Sequence, residues 1–227
     1  MTWGPVAGRS KALLVESPGE LAEVWSRLRD SDIGMVAQEH VPGGEERIES
    51  YHAYVDERGD VAGEFTGRKI RTLPPRFGYT TACEITDEGD VRDAGRHCMT
   101  ALGLRGVAKV DFKRAPSGEL VLLEVNPRFN LWHHPGAVAG VNLPALVYAD
   151  LAGLPRQPAR LTRPGVRWSV PWNDFRAARR QGVGIASWLR WQAGCETRHI
   201  VAADDPMPFL RGFAWRRMRR RLGARET

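Results

Sequence analysis

Two apolar runs, "GVAKVDFK" and "ELVLLEVN", separated only by the turn "APSG", constrain this chain most. Their alternation predicts an antiparallel hairpin that closes at Ser117–Gly118. That register sets Asp111 opposite Glu124, Lys109 opposite Asn126 and Lys113 opposite Leu122. Val110, Phe112, Val121, Leu123 and Val125 then form the apolar face. Like charges facing one another destabilise a sheet. Two readings answer that cost. The face is an exposed one with ordinary salt bridges, or a cation sits between the carboxylates. Oxygen ligands from Asp, Glu and Asn suit Mg²⁺ or Mn²⁺, with water and phosphate oxygens completing the shell. Lysine and Arg128 around such an ion would neutralise phosphate.

The rest of the chain reads as an α+β protein. "KALLVE" (11–16) is expected to be a strand. A helix follows in "SPGELAEVWSRLRD", with Ser17 as N-cap, Pro18 in the first turn and Glu20 completing a capping box. Its apolar face is Leu21, Val24, Trp25 and Leu28. "IGMVAQEHV" (33–41) reads as another strand, stopped by Pro42-Gly43-Gly44. "ERIESYHAYVDE" and "DVAGEFTGRKI" alternate about Arg58-Gly59 and predict an antiparallel pair. "TLPPRFG" is a loop and "YTTACEIT" a strand. A helix is expected over 87–102, ended by Gly103, and another near "GAVAGVNLPALVYADLAG". From about residue 155 prolines and tryptophans accumulate, and two short helices are expected there.

Composition narrows the classes. The 227 residues, 42% hydrophobic and 26% charged, suffice for one sizeable core or two small ones. No apolar run approaches the ~20 residues of a membrane span, and no signal segment opens the chain. Cys83, Cys98 and Cys195 are odd in number and far apart, which predicts reduced thiols in a cytoplasmic protein. The formal charge is +6, and lysine occurs only at Lys11, Lys69, Lys109 and Lys113. All four lie close to candidate site segments, although a bias toward arginine explains any one of them equally well.

"LLEVNPR" resembles the metal-binding signature of ATP-grasp ligases: a strand with Glu and Asn two apart, then Pro-Arg. "KVDFK" supplies the acidic residue that the family carries on the preceding strand. The resemblance implies that Asp111, Glu124 and Asn126 hold divalent ions bridging the phosphates of ATP. It also implies that Lys109 faces the substrate or acyl-phosphate side, as in D-alanine–D-alanine ligase-like members, and Lys109 and Arg128 are the expected catalytic residues. "VAQEHVPGGEER" resembles the family's hinge. Gln38, Glu39, His40 and Val41 would meet adenine, and Glu46 the ribose hydroxyls. "FTGRKIRTLPPRFG" resembles a loop of carbamoyl-phosphate-synthetase-like and amino-acid-ligating members, in which Lys69 would meet the terminal phosphate beside Arg68, Arg71 and Arg76. These segments stand in the family's order.

The resemblance covers residues 10 to about 153, and biotin carboxylase is a further relative by this reading. It implies a partial ATP-grasp domain over 1–153, with antiparallel sheets and packed helices. A C-terminal helical extension with a basic tail, 154–227, resembles the tails of carboxylate–amine ligases. His133 and His134 are adjacent, cannot both point at one metal from a regular element, and are read as structural or substrate-side residues. The family's lysine-bearing strand would lie before Met1, so the chain is expected to be incomplete at its front, with residues 1–10 reading as a loop.

The implied activity is ATP-dependent amide formation from a small-molecule carboxylate and amine, through an acyl phosphate. Two other readings stay open. One is a nucleotide-binding module without turnover. The other is a binder of nucleic acid or an anionic surface through "FAWRRMRRRLGAR", whose plainer reading is a solvated helix face.

Overall fold

A computed structural model describes residues 12–30, 34–158, 162–199, 205–208 and 210–212. Lys11, the expected loop over 1–10 and the basic run 213–225 lie outside the described residues. Helix α1, Pro18–Leu28, begins as its sequence dictates: the Ser17 Oγ accepts the Glu20 N–H at 3.2 Å. The Glu20 carboxylate in turn accepts the Glu16 N–H at 2.8 Å, completing the box one residue earlier than the usual partner. Leu28 is buried, whereas Leu21 and Trp25 are exposed.

The strands expected on either side of α1 do not form. Residues 12–16 and 34–41 are irregular. Apolar alternation makes a segment strand-competent, but a strand exists only through its ladder. Neither segment is one of the strands of the sheet described below.

Seven strands make one sheet in the order β5-β4-β1-β2-β3-β6-β7. β1 (Ile48–Val55) and β2 (Val61–Leu73) pair antiparallel. Their turn places Gly59 at φ 97° and uses the Asp56 carboxylate to accept the Arg58 and Asp60 N–H groups, both at 3.0 Å. β3 (Tyr79–Thr86) pairs with β2, and after helix α2 (Gly89–Ala101) the chain enters β4 (Gly106–Arg114) and β5 (Leu120–Asn126). β4 pairs with β1, not with β3, so α2 crosses the sheet.

The sheet is covered on both faces, which is why β1 is buried along nearly all its length. On one face Tyr51, Ala53, Val110 and Phe112 pack on Val91 and Met99 of α2. On the other, Phe65 and Ile85 pack with Val141 and Leu143. The single helix expected after the signature is two: α3, His133–Val138, and α4, Leu143–Leu151. Gly140 at φ 109° turns the chain out of the helix, and Asn142 starts it again by accepting the Ala145 N–H at 3.1 Å. Gly136 in α3 is required by packing, since a Cβ there would strike the Phe65 ring.

Residues beyond 154 build onto the same sheet. β6, Arg167–Ser169, pairs antiparallel with β3, and β7, Thr197–Arg198, pairs parallel with β6. These strands were not expected from the sequence; the two short helices were. They are α5, Pro171–Arg180, and α6, Ile185–Ala193. Asp174 of α5 is wholly buried and takes a bidentate bond from Arg71 of β2 at 2.6 and 2.7 Å. All three cysteines are free thiols. No helix among the described residues is long and apolar enough to cross a membrane.

Candidate active site

The β4–β5 pair builds the charged face that its sequence predicts. Lys109 faces Asn126 and Asp111 faces Glu124. Beyond Asp111 the register shifts, so Lys113 meets Val121, not Leu122, and Phe112 meets Leu122. A bulge is the physical reason: one extra residue on β5 displaces every later pair by one. Lys113 instead donates to the Gly43 carbonyl at 2.7 Å, and Arg47 donates to the Ala115 carbonyl at 3.2 Å. The turn after the expected hinge is thereby tied to the end of β4.

Asp111 is almost fully buried and is the centre of the charge cluster. Its Oδ2 lies 2.6 Å from the Lys109 Nζ and 3.7 Å from the Lys69 Nζ. Its Oδ1 accepts the hydroxyl of Ser50. Burial alone would raise the carboxyl's pKa. Lys69, Lys109 and the hydrogen bonds from Lys109 and Ser50 together outweigh burial, so the group is held well below the usual carboxylate range. For Lys109 the balance falls the other way. Burial lowers its pKa most, Lys69 adds repulsion, and Asp111 and Glu124 oppose both. The Lys109 ammonium also sits 5.2 Å from the centroid of the Trp132 ring.

A cleft of about 610 Å³ opens over this face. Lys69, Lys109, Glu124, Asn126 and Arg128 line it. Tyr79, Phe129, Leu131, Trp132 and Trp168 share the lining. The loop leading to Tyr79 carries Arg76 at φ 60° and Phe77 at φ 54°, two residues held in the left-handed region. Arg68 and Arg71 are drawn elsewhere. Arg68 pairs with Glu84 at 2.8 Å and Arg71 with Asp174, and of Arg68, Lys69, Arg71 and Arg76 only Lys69 lines the cleft.

Gln38, Glu39, His40, Val41 and Glu46 are outside the cleft lining. Gln38, Glu39 and His40 are exposed and Val41 is buried. Glu46 stands in a 3-10 turn, Glu45–Arg47, where its carboxylate and that of Glu45 face Lys113 electrostatically.

Sequence reasoning missed Ser50 and His52 on β1. The signal was present: two polar residues on one side of a strand whose only charged residue, Glu49, lies on the other. Their link to Asp111 and Lys109 runs through the β1–β4 pairing, which hydrophobic alternation does not reveal. His52 is fully buried, with its ring stacked 4.5 Å from Phe65 and 5.3 Å from Trp132. Burial and the neighbouring Lys109 charge hold its pKa well below the usual histidine value. Neither ring nitrogen has a hydrogen-bond partner among the described residues. His133 is buried too, pushed down to about 4 by burial and held by Asn130 at 3.3 Å, while His134 is exposed.

The donor set can be weighed against a divalent ion. Glu124 is exposed and Asn126 partly so, and both line the cleft; these two fit a hard cation. Asp111 offers oxygens already engaged by Ser50 and Lys109. It would join the ion only by exchanging the Lys109 contact for it.

The antiparallel sheet thus brings acidic, amide and basic groups of paired strands into one cleft. The family model described as "ATP-grasp in the biosynthetic pathway with Ter operon" matches residues 60–171. This stretch of the chain is thus similar to the ATP-grasp family. The chain is 25% identical to D-alanine–D-alanine ligase B of Chromobacterium violaceum over 141 residues, 60% of this chain and 46% of that one. It thus spans about half the length of the curated relative it matches. Among solved structures, N5-carboxyaminoimidazole synthetase from Staphylococcus aureus superposes with a TM-score of 0.50 at 12% identity, over 67% of this chain and 41% of that one. The same enzyme complexed with ADP gives the same values. That likeness is one of fold.

Proposed function

We propose that this chain uses Mg·ATP to activate a carboxylate as an acyl phosphate, which an amine then converts to an amide. The observation that carries the reading is the cleft in which Lys69, Lys109, Glu124, Asn126 and Arg128 converge above the buried Asp111. Polyphosphate needs cations, a divalent ion needs oxygen ligands, and this one surface offers both kinds of group.

In the first step a carboxylate oxygen attacks the terminal phosphorus of ATP, and the bond to the bridging oxygen breaks to release ADP. In the second the amine nitrogen attacks the acyl carbon, phosphate leaves, and the nitrogen loses a proton. Lys69 and Lys109 neutralise charge on the terminal phosphoryl group. Asp111 fixes both ammonium groups from beneath, so they need not reorganise as charge shifts. Arg128, at the end of β5, meets the acyl-phosphate side. Glu124 and Asn126 would hold the cation, which supplies charge neutralisation between the phosphates. The segment from Gln38 to Val41 would meet adenine and Glu46 the ribose hydroxyls, on a nucleotide that extends beyond the cleft lining toward the turn tied to β4. No side chain is needed as a covalent nucleophile, because the acyl phosphate is the activated species.

Trapping tests this directly. The chain is incubated with Mg·ATP, hydroxylamine as the amine and a mixture of the common amino acids and short carboxylic acids. Hydroxamate should form in step with ADP, and Lys109→Met should lose at least tenfold of it. ADP formation that ignores the carboxylates, or an unchanged hydroxamate yield in Lys109→Met, contradicts the reading.

A further inference from the structure

The lining of the cleft holds two unlike kinds of side chain, and only one of them is suited to phosphate. Lys69, Lys109 and Arg128 are its cations, beside Glu124 and Asn126. In the same lining Tyr79, Phe129 and Leu131 are 40%, 52% and 51% exposed. Large apolar side chains gathered in a concavity beside a charged centre mark a surface for a ligand with an apolar body. The grouping is also built. Phe129 sits edge-on to the His133 ring at 5.5 Å, and that histidine is buried and held by Asn130. Tyr79 is fixed by its pairing with Leu73 at the entry to β3. Leu131 stands beside Trp132, which is buried against Cys83 and Trp168. The apolar wall thus has a rigid backing, as a specificity surface requires.

We propose that the carboxylate substrate carries an aromatic or comparably bulky apolar group, seated on Phe129, Leu131 and Tyr79. The inference rests on the acyl-phosphate reading and adds the substrate class. The charges fix the orientation. The carboxylate points toward Lys109 and Arg128, where a phosphoryl group would meet it. The apolar body lies away from the phosphates, on the three apolar side chains. A small carboxylate such as acetate would leave that wall wet and gain nothing from it. Filling it with a phenyl ring is worth about tenfold or more in affinity.

Titration calorimetry on the full chain tests this in two stages. The non-hydrolysable analogue AMP-PNP with Mg²⁺ is titrated first. Failure to bind would remove the nucleotide reading beneath the inference. With AMP-PNP saturating, 3-phenylpropionate and propionate are then compared. The expected result is that 3-phenylpropionate binds at least tenfold more tightly. In Phe129→Ala and Leu131→Ala, both at exposed positions, the ratio should fall toward one. If AMP-PNP binds but the two acids bind alike or not at all, the substrate class is wrong and the nucleotide reading stands. The substrate class is equally wrong if Phe129→Ala and Leu131→Ala both keep the wild-type ratio.

Discussion

Strand β2 carries two buried ion clusters, at Lys69 and at Arg71, and they are built on opposite plans. At Arg71 one cation meets one carboxylate. Asp174 accepts two bonds from Arg71 and one each from Thr81, Trp188 and Gln192, the longest 3.2 Å. Trp191 covers the Arg71 guanidinium at 5.1 Å. At Lys69 two cations share one carboxylate, Asp111, and the second lysine lines an open cleft. A buried charge is tolerable when its partners are complete. The Asp174 cluster is complete and closed, and it fastens α5 and α6 to the sheet. The Asp111 cluster has positive charge to spare and an opening toward solvent. Under the proposed function that opening would admit an anion that comes and goes, whereas the first cluster stays shut.

This contrast can be broken by substitution. Asp174→Ala should have the largest effect, because it leaves a buried guanidinium and three further donors without their acceptor. A loss of roughly 3–5 kcal/mol is expected, read as a lower midpoint in chemical denaturation. A loss below about 1 kcal/mol would mean that the cluster is not what fastens the C-terminal helices.

Lys109→Met should behave in the reverse manner. Removing one of two lysines relieves repulsion and leaves the Lys69–Asp111 pair, so the cost in stability is expected to stay below about 2 kcal/mol. Affinity for Mg·ATP should nonetheless fall at least tenfold. A variant as unstable as Asp174→Ala, with nucleotide affinity intact, would show that the Asp111 cluster is a structural one after all.

Much of this was legible in the residues. β1, β2 and β3 announce themselves through alternation and a Gly59 turn, and the β4–β5 pairs at 109–111 follow from counting back from Ser117–Gly118. The bulge beyond Asp111 was not legible, since nothing in the side chains of "LVLL" favours one register over the next. Nor were β6 and β7, which are too short to show a period and exist because β3 has an edge to offer. The segments 12–16 and 34–41 failed in the opposite sense, with strand-like patterns but irregular backbone. For the site, the charged residues were legible because charge inside an apolar run is conspicuous. Tyr79, Trp132 and Trp168 were not. An aromatic residue in a cleft wall has the same sequence signature as one in the core, and only the fold separates them.

The central claim is that the β4–β5 face holds the phosphates of ATP together with a divalent ion. Titration calorimetry of Mg·ATP into the wild-type chain and into Glu124→Ala tests it most directly, with circular dichroism to establish that both are folded. The expected result is Mg²⁺-dependent binding in the wild type, lost in Glu124→Ala and weakened in Asn126→Ala. Equal affinity for Mg·ATP in wild type and Glu124→Ala would contradict the account.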